Sequence, residues 1–371
     1  MSDRIQATYR YWGESPEQLA DAIRVEQTIE FPFDLAPAWI QRDVVASVEG
    51  ITAVGDGIHD VVIIYDPRTA AGELPQLLNV LWGNVSMFPG VKLIGLELPD
   101  SFTKTFSGPR FGVPGLRDLL QAPSRALVST ALKPMGLSAA ELGEMAYTLA
   151  AAGFDTIKDD HSLANQPWAP WRERVQVVAD AVAKANDEHG THCLYAPSIH
   201  LPANQLHEAA MEAKQMGATA LLLLPGISGF DTMRAIAEDD DIGLPVMGHP
   251  SMLGSLAIPE RSGIHHSIVF GTLMRLAGAD ITIFPNFGGR FSFSEDECLS
   301  IDRAATEPLG SLAASWVSPA GGMTVERVPE MLEFYGPDTA CLIGGALHRG
   351  DLASNARAMV AAIAQHRGVE R

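Results

Sequence analysis

Lys158, Asp159, Asp160 and His161 put a cation, two carboxylates and an imidazole in four consecutive positions. They close a β-type run, Phe154 to Ile157. Alternation along a strand sends Lys158 and Asp160 to one side and Asp159 to the other, and His161 can join the first two once the chain turns. One hard carboxylate with one or two further donors suits a divalent cation that keeps positions open for substrate oxygens. A lysine ammonium is no ligand; as a carbamate it becomes one, and as a desolvated amine it can act as a base. The plainer alternative is a charged turn with a Lys–Asp ion pair, and these four residues alone do not separate the two readings. Other β-type runs also end in polar residues or glycines: Lys133; Ser198 and His200; His249; Asn286 with Gly288, Gly289 and Arg290; Ser318 with Gly321 and Gly322; and Gly344 with Gly345.

The runs that would position these residues number eight: Ala126 to Leu132, Phe154 to Ile157, His192 to Ala196, Ala220 to Leu224, Pro245 to Gly248, Ile281 to Phe284, Ser315 to Val317 and Ala340 to Ile343. Helical stretches such as AAELGEMAYTLAAAG, RERVQVVADAVAKANDEHG and NQLHEAAMEAKQMG lie between them. Strand and helix alternating over about 250 residues is the pattern of a (β/α)8 TIM barrel, whose chemistry gathers at the C-terminal ends of its strands. A doubly wound sheet is the second choice, weakened because no Gly-x-Gly-x-x-Gly follows the early strands. Upstream the order is strand (IQATYRYW), helix (SPEQLADAIRVEQ, opened by a capping-box-like Ser15 and Gln18), strands at Val44 to Ser47 and Val61 to Tyr65, helix (LPQLLNVLWG), and strand at Leu93 to Leu96. That is a ferredoxin-like α+β order. The expectation is therefore an N-terminal ferredoxin-like domain over residues 1–120 and a catalytic barrel over 121–371, within the class α/β.

The 371 residues carry 26 Lys+Arg against 45 Asp+Glu, a formal charge of −19. Without a basic cluster to displace counterions, nucleic acid is not an expected partner. No apolar run approaches the ~20 residues of a membrane span, and the N-terminus has no signal-peptide pattern, so a cytoplasmic protein is expected. Three scattered cysteines, Cys193, Cys298 and Cys341, read as buried thiols.

The stretch LVSTALKPMGLSAAELGEMAYTLAAAGFDTIKDDH resembles the central stretch of RuBisCO, in which a Lys-Pro-x-x-Gly-Leu run precedes Gly-x-Asp-x-x-Lys-Asp-Asp-Glu. VEQTIE around Glu26, LWGNVSM around Asn84, RLAGAD and LIGGALHRG extend the likeness over nearly the whole chain. The resemblance implies an α+β domain followed by a barrel. It implies that Lys158 is the carbamylated lysine, that Lys158, Asp160 and His161 hold Mg2+, that Lys133 handles the proton of enolisation, and that His249 is the active-site histidine. It further implies a homodimer whose active site lies at the subunit interface, Glu26 and Asn84 being lent by the partner's N-domain.

The departures bear on the reaction. The third metal ligand of the carboxylase is a glutamate, replaced here by His161. The loop FPNFGGRFSFSEDE lacks the lysine that stabilises a carboxylated intermediate, and Arg290 is the nearest cation. KPMGLS is one residue shorter and has lost a second lysine. His249-Pro250 stands for His-Arg, and PNF replaces a histidine, which leaves phosphate binding to Gly321, Gly322, Gly344 and Gly345 through backbone N–H groups. Asn286, Gly288, Gly289, Arg290 and Ser318 complete the expected substrate-binding set. The chain is identified as a RuBisCO-like, non-carboxylating member that forms an enediolate from a monophosphorylated keto sugar or sugar acid. Decarboxylation of a 3-oxo sugar-acid phosphate, such as 3-oxo-isoapionate 4-phosphate, is favoured. The alternatives are an enolase or isomerase of a methylthio-ketose 1-phosphate and a non-catalytic sugar-phosphate-binding protein.

Other motifs fall away. His207-Glu208-Ala209-Ala210-Met211 lacks the second histidine of a zincin, Gly226-Ile227-Ser228-Gly229 is no nucleophile elbow, and adjacent His265 and His266 at a helix start face about 100° apart.

Overall fold

The computed structural model describes residues 3–366; the outermost residues of both expected domains, 1–2 and 367–371, lie outside it. Strands β1 (Ile5–Trp12), β2 (Ser47–Gly55), β3 (Ile58–Tyr65) and β4 (Val91–Glu97) form an antiparallel sheet in the order β4-β1-β3-β2, as a ferredoxin-like domain requires. Alternation decides its faces: Ile5, Ala7 and Tyr9 of β1 and Val61, Ile63 and Tyr65 of β3 are buried. Helix Pro16–Glu26, through Ala20 and Ile23, and helix Leu74–Trp82, through Leu74, Leu77, Val80 and Leu81, bury residues in the same core. Ser15 stands at the N-cap as expected, but its side chain makes no capping hydrogen bond, so the box is not formed.

The barrel strands are β5 (Leu127–Leu132), β6 (Thr156–Asp159), β7 (Leu194–Ala196), β8 (Leu221–Leu223) and β9 (Val246–Gly248), then, after a two-residue strand β10 (Gly263–Ile264), β11 (Ile281–Pro285), β12 (Trp316–Ala320) and β13 (Ala340–Ile343). Eight of them run parallel in the order β7-β6-β5-β13-β12-β11-β9-β8. The ring closes between β7 and β8, where Ala220 N donates to Tyr195 O at 3.0 Å and Leu222 N to Pro197 O at 2.9 Å. All six residues of β5 are buried, because a parallel strand between barrel interior and helices has no wet face.

Helix Gly112–Leu119 fills the N-terminal end of the barrel, with Leu116 and Leu120 packed among Leu127, Ala220, Ile281 and Trp316. Asp280 fastens it by accepting from Phe111 N at 2.7 Å, Gly112 N at 2.8 Å and Val246 N at 2.9 Å. The domains are joined by β10, which adds to the N-domain sheet parallel to β4, and by Lys92 Nζ, which donates to Ala257 O at 2.9 Å and Pro259 O at 2.8 Å. His265 and His266 follow β10 directly, at that joint. No helix among the described residues is long and apolar enough to cross a membrane.

Candidate active site

Five side chains converge at the C-terminal end of the barrel. Lys133, just past β5, lies with Nζ 2.7 Å from Asp160 Oδ2, and His161 Nδ1 lies 2.9 Å from Asp160 Oδ1. The His161 ring stacks on that of His249, with centroids 4.6 Å apart and planes 16° from parallel. Ser251 N donates to His249 Nδ1 at 3.2 Å, which makes Nδ1 the acceptor and places the proton of the neutral ring on Nε2. Burial, reinforced by the charges of Lys158 and His161, pushes the proton affinity of His249 well below that of an ordinary histidine, so the neutral ring is the resting form.

Lys158 is 3% exposed, and its Nζ donates to Asp159 O at 3.1 Å. Burial lowers its pKa from 10.5 to about 8 against the pull of Asp160, and Lys133 pushes the same way as burial. Burial works against the charge on Asp160 as well, but hydrogen bonds from His161 and Lys133 outweigh it and hold the carboxylate ionised, well below its usual range.

Asp159 points the other way, as strand alternation requires. Its carboxylate accepts from Arg174 Nε at 3.1 Å, Tyr195 Oη–H at 3.0 Å and Ser198 N at 3.1 Å. Arg174, fully buried, also donates to Ala164 O at 2.8 Å and Ala169 O at 2.9 Å. This anchored pair fixes the strand end on which Lys158 and Asp160 stand. Arg174 was absent from the expected site, although Trp171, Arg174 and Val178 lie on one helical face, which is the available signal for a buried arginine.

The remaining expected residues separate into groups. Gly344 reaches the cluster: a Cβ there would lie 3.9 Å from Lys133 Nζ. A Cβ at Gly321 or Gly345 would meet nothing within 4 Å, so both backbones border open space. Gly288 and Gly289 follow β11 and stack on Gly321 and Gly322 after β12; a Cβ on Gly289 would come within 3.1 Å of Gly321 O. Arg290 is exposed, its guanidinium 4.9 Å from the Phe291 ring centre. Asn286 and Ser318 are at the right strand ends, but their polar groups are engaged inside. Asn286 Oδ1 accepts from Tyr335 Oη–H at 2.7 Å, its Nδ2 approaches Met331 Sδ at 2.9 Å, and Ser318 Oγ donates to Ala340 O at 3.0 Å.

Glu26 and Asn84 belong to the N-domain and pair with each other, Asn84 Nδ2 donating to Glu26 Oε1 at 2.8 Å. Gln27 holds that arrangement: its Nε2 donates to Asn79 O and Val80 O, both at 2.9 Å, and its Oε1 accepts from Val85 N at 2.9 Å. Among the described residues, neither Glu26 nor Asn84 bonds to the mouth of its own barrel.

As it stands the cluster is one carboxylate, two imidazoles and two amines. Among the described residues, no group of three or more His, Cys, Asp and Glu could hold a metal ion. A third donor would have to come from Lys158 as a carbamate, and the chemistry permits it. A buried amine with a pKa near 8 is neutral in roughly one molecule in ten at pH 7, against fewer than about one in a thousand for an ordinary lysine. Only the neutral amine adds carbon dioxide.

The family of the ribulose bisphosphate carboxylase large chain, catalytic domain, matches residues 112–367. The chain belongs to the RuBisCO large-chain family. Within it the match is to RuBisCO-like proteins: the 5-methylthioribulose-1-phosphate isomerase of Rhodospirillum rubrum is 40% identical over 371 residues, covering 98% of this chain and 97% of that one. The 2,3-diketo-5-methylthiopentyl-1-phosphate enolase of Geobacillus kaustophilus is 32% identical over 289 residues, covering 78% and 70%. The crystal structure of a Rubisco-like protein from Rhodopseudomonas palustris superposes with a TM-score of 0.90 at 38% identity, covering 100% of both chains. This RuBisCO-like chain is accordingly an enzyme of the non-carboxylating kind.

Proposed function

We propose that this barrel mouth enolises a monophosphorylated keto sugar, and that the reaction is isomerisation of a phosphorylated ketose of the 5-methylthioribulose 1-phosphate type. The observation that carries the reading is the convergence of Lys133, Lys158, Asp160, His161 and His249. It places two amines and two imidazoles, with the His249 ring neutral, around one ionised carboxylate, which is the equipment for moving a proton beside a carbonyl. The 40% identity to the isomerase over nearly the full length of both chains supports isomerisation ahead of the decarboxylation that the sequence reading favoured.

Asp160, His161 and a carbamylated Lys158 fit a divalent cation of the magnesium class: two oxygen anions and an imidazole, with Asp160 and His161 already adjacent. Bound there, the cation would polarise the substrate carbonyl as a Lewis acid. The chain's own residues do the rest. Lys133, released from Asp160, carries the proton at the substrate carbon. His249 offers its Nε2–H to a substrate oxygen. The backbones of Gly321, Gly322, Gly344 and Gly345 receive the phosphate, and a second chain supplies Glu26 and Asn84.

The test is to incubate the enzyme with 5-methylthioribulose 1-phosphate in D2O and follow C–H exchange and isomer formation by NMR. Exchange that disappears in Lys133→Ala supports the proposal. Release of carbon dioxide from a 3-oxo sugar-acid phosphate without such exchange would establish decarboxylation instead, and neither activity would remove the enolising reading.

A further inference from the structure

The loops after β11 and β12 meet backbone to backbone, and one arginine that the expected site does not include spans both. A Cβ on Gly322 would fall 3.1 Å from Gly289 Cα, and one on Gly289 would fall 3.1 Å from Gly321 O, so neither loop could approach the other so closely with side chains present. Both loops also lie beside the Arg327 guanidinium, which would be 3.3 Å from a Cβ on Gly288 through Nη2 and 3.3 Å from one on Gly322 through Nη1. Arg327 Nη1 donates to Gly322 O at 3.4 Å, and Nε and Nη2 donate to the two Glu330 oxygens at 2.9 and 3.1 Å. The guanidinium carbon sits 5.5 Å from the centre of the Phe287 ring, on the β11 side. One planar group thus reaches the β12 loop through Nη1 and lies beside Gly288 and Phe287 of the β11 loop, while Glu330 fixes its orientation.

We infer that Arg327 is a positioning residue that latches the β11 loop onto the β12 loop and so holds Gly288, Gly289, Gly321 and Gly322 as one surface facing the substrate phosphate. The phosphate part rests on the function proposed above; the latch does not. A lysine keeps the charge but cannot present a fork to Glu330 and Gly322 at once while staying beside Phe287.

Hydrogen exchange of residues 286–293, read by mass spectrometry on full-length Arg327→Ala, Arg327→Lys and Glu330→Gln, tests the latch. Inorganic phosphate binding, read by calorimetry on the same proteins, tests the surface. Glu330 is half-exposed, so its variant keeps the fold if Arg327→Ala does not. Expected is loop exchange faster by about tenfold or more in Arg327→Ala, no rescue by lysine, and a smaller rise in Glu330→Gln, since a charge-assisted anchor is lost in each. Exchange of the barrel strands and the melting temperature should stay near wild type, and phosphate affinity should fall in step with loop protection. A merely structural arginine would move melting temperature and strand exchange together with the loop. Unchanged loop exchange in a folded Arg327→Ala would overturn the latch. Faster loop exchange with unchanged phosphate affinity would leave the latch and overturn its part in anion binding.

Discussion

Lys158→Met should make the protein more stable at neutral pH, because the wild-type amine is buried at the expense of the fold. Lys158 is 3% exposed, and its pKa falls from 10.5 to about 8, with burial as the leading cause. At about 1.4 kcal/mol per pH unit, this difference is worth about 3 kcal/mol. For a base whose folded pKa is lowered, that cost is fully present below pH 8 and is relieved as pH rises from 8 to 10.5. Methionine keeps the length of the side chain and removes the charge, and Asp160 retains Lys133 and His161 as partners. Urea unfolding at pH 6.5, 8 and 9.5, without bicarbonate or divalent ions, should show the variant ahead by about 2–3 kcal/mol at the lowest pH, with the gap closing above pH 8. Adding bicarbonate with magnesium should stabilise the wild type and leave the variant unmoved, since only the lysine can form the carbamate. A variant no more stable than wild type at pH 6.5, or a gap constant across the series, would refute the reasoning.

Two further outcomes follow from the same strand end and from the N-domain. Arg174→Met strands the buried Asp159 charge and two carbonyls, and should cost about 3–5 kcal/mol in urea unfolding; combining it with Asp159→Asn should recover part of that loss, and strict additivity would count against the pair. Glu26→Ala and Lys158→Met chains, each inactive alone, should regain activity when mixed and reassembled, because one of the site types in the hybrid would be intact; failure to complement in a verified hybrid would place Glu26 outside a shared site.

The barrel was legible because its strands are short apolar runs at regular spacing, and each of the eight is present with its ends shifted by a few residues at most. What escaped was structure carried by little apolar signal. Strand β2 covers Ser47–Gly55 where Val44 to Ser47 was expected: it is an edge strand, none of whose residues is buried, so burial imprints no alternation on it. Helix Glu295–Thr306 has no counterpart among the expected helices and begins inside the expected loop FPNFGGRFSFSEDE, although Ser294 and Glu297 form a complete capping box there. Helix Leu352–Gln365, capped by Asp351, was missed for want of a following strand to frame it.

Within the site, strand alternation placed Lys158, Asp159 and Asp160 correctly because it depends on the backbone alone. It could not say which acceptor each strand-end side chain would find. Asn286 and Ser318 occupy the right register, yet Tyr335, Met331 and the Ala340 carbonyl take their polar atoms, and those partners come from a helix and a strand that local sequence does not connect to them. Arg174 and Arg327 escaped from the opposite side: each is a helix-start arginine that divides its guanidinium between a carboxylate, Asp159 or Glu330, and carbonyls of the loop leading into its own helix. A chain of formal charge −19 therefore brings Lys133 and Lys158 to the mouth and supports the loops around it with arginines whose charge is already matched by Asp159 and Glu330. Under the proposed function, attraction for an anionic substrate would come from the two lysines, a bound cation and backbone N–H groups, while Arg174 and Arg327 set the geometry in which those groups act.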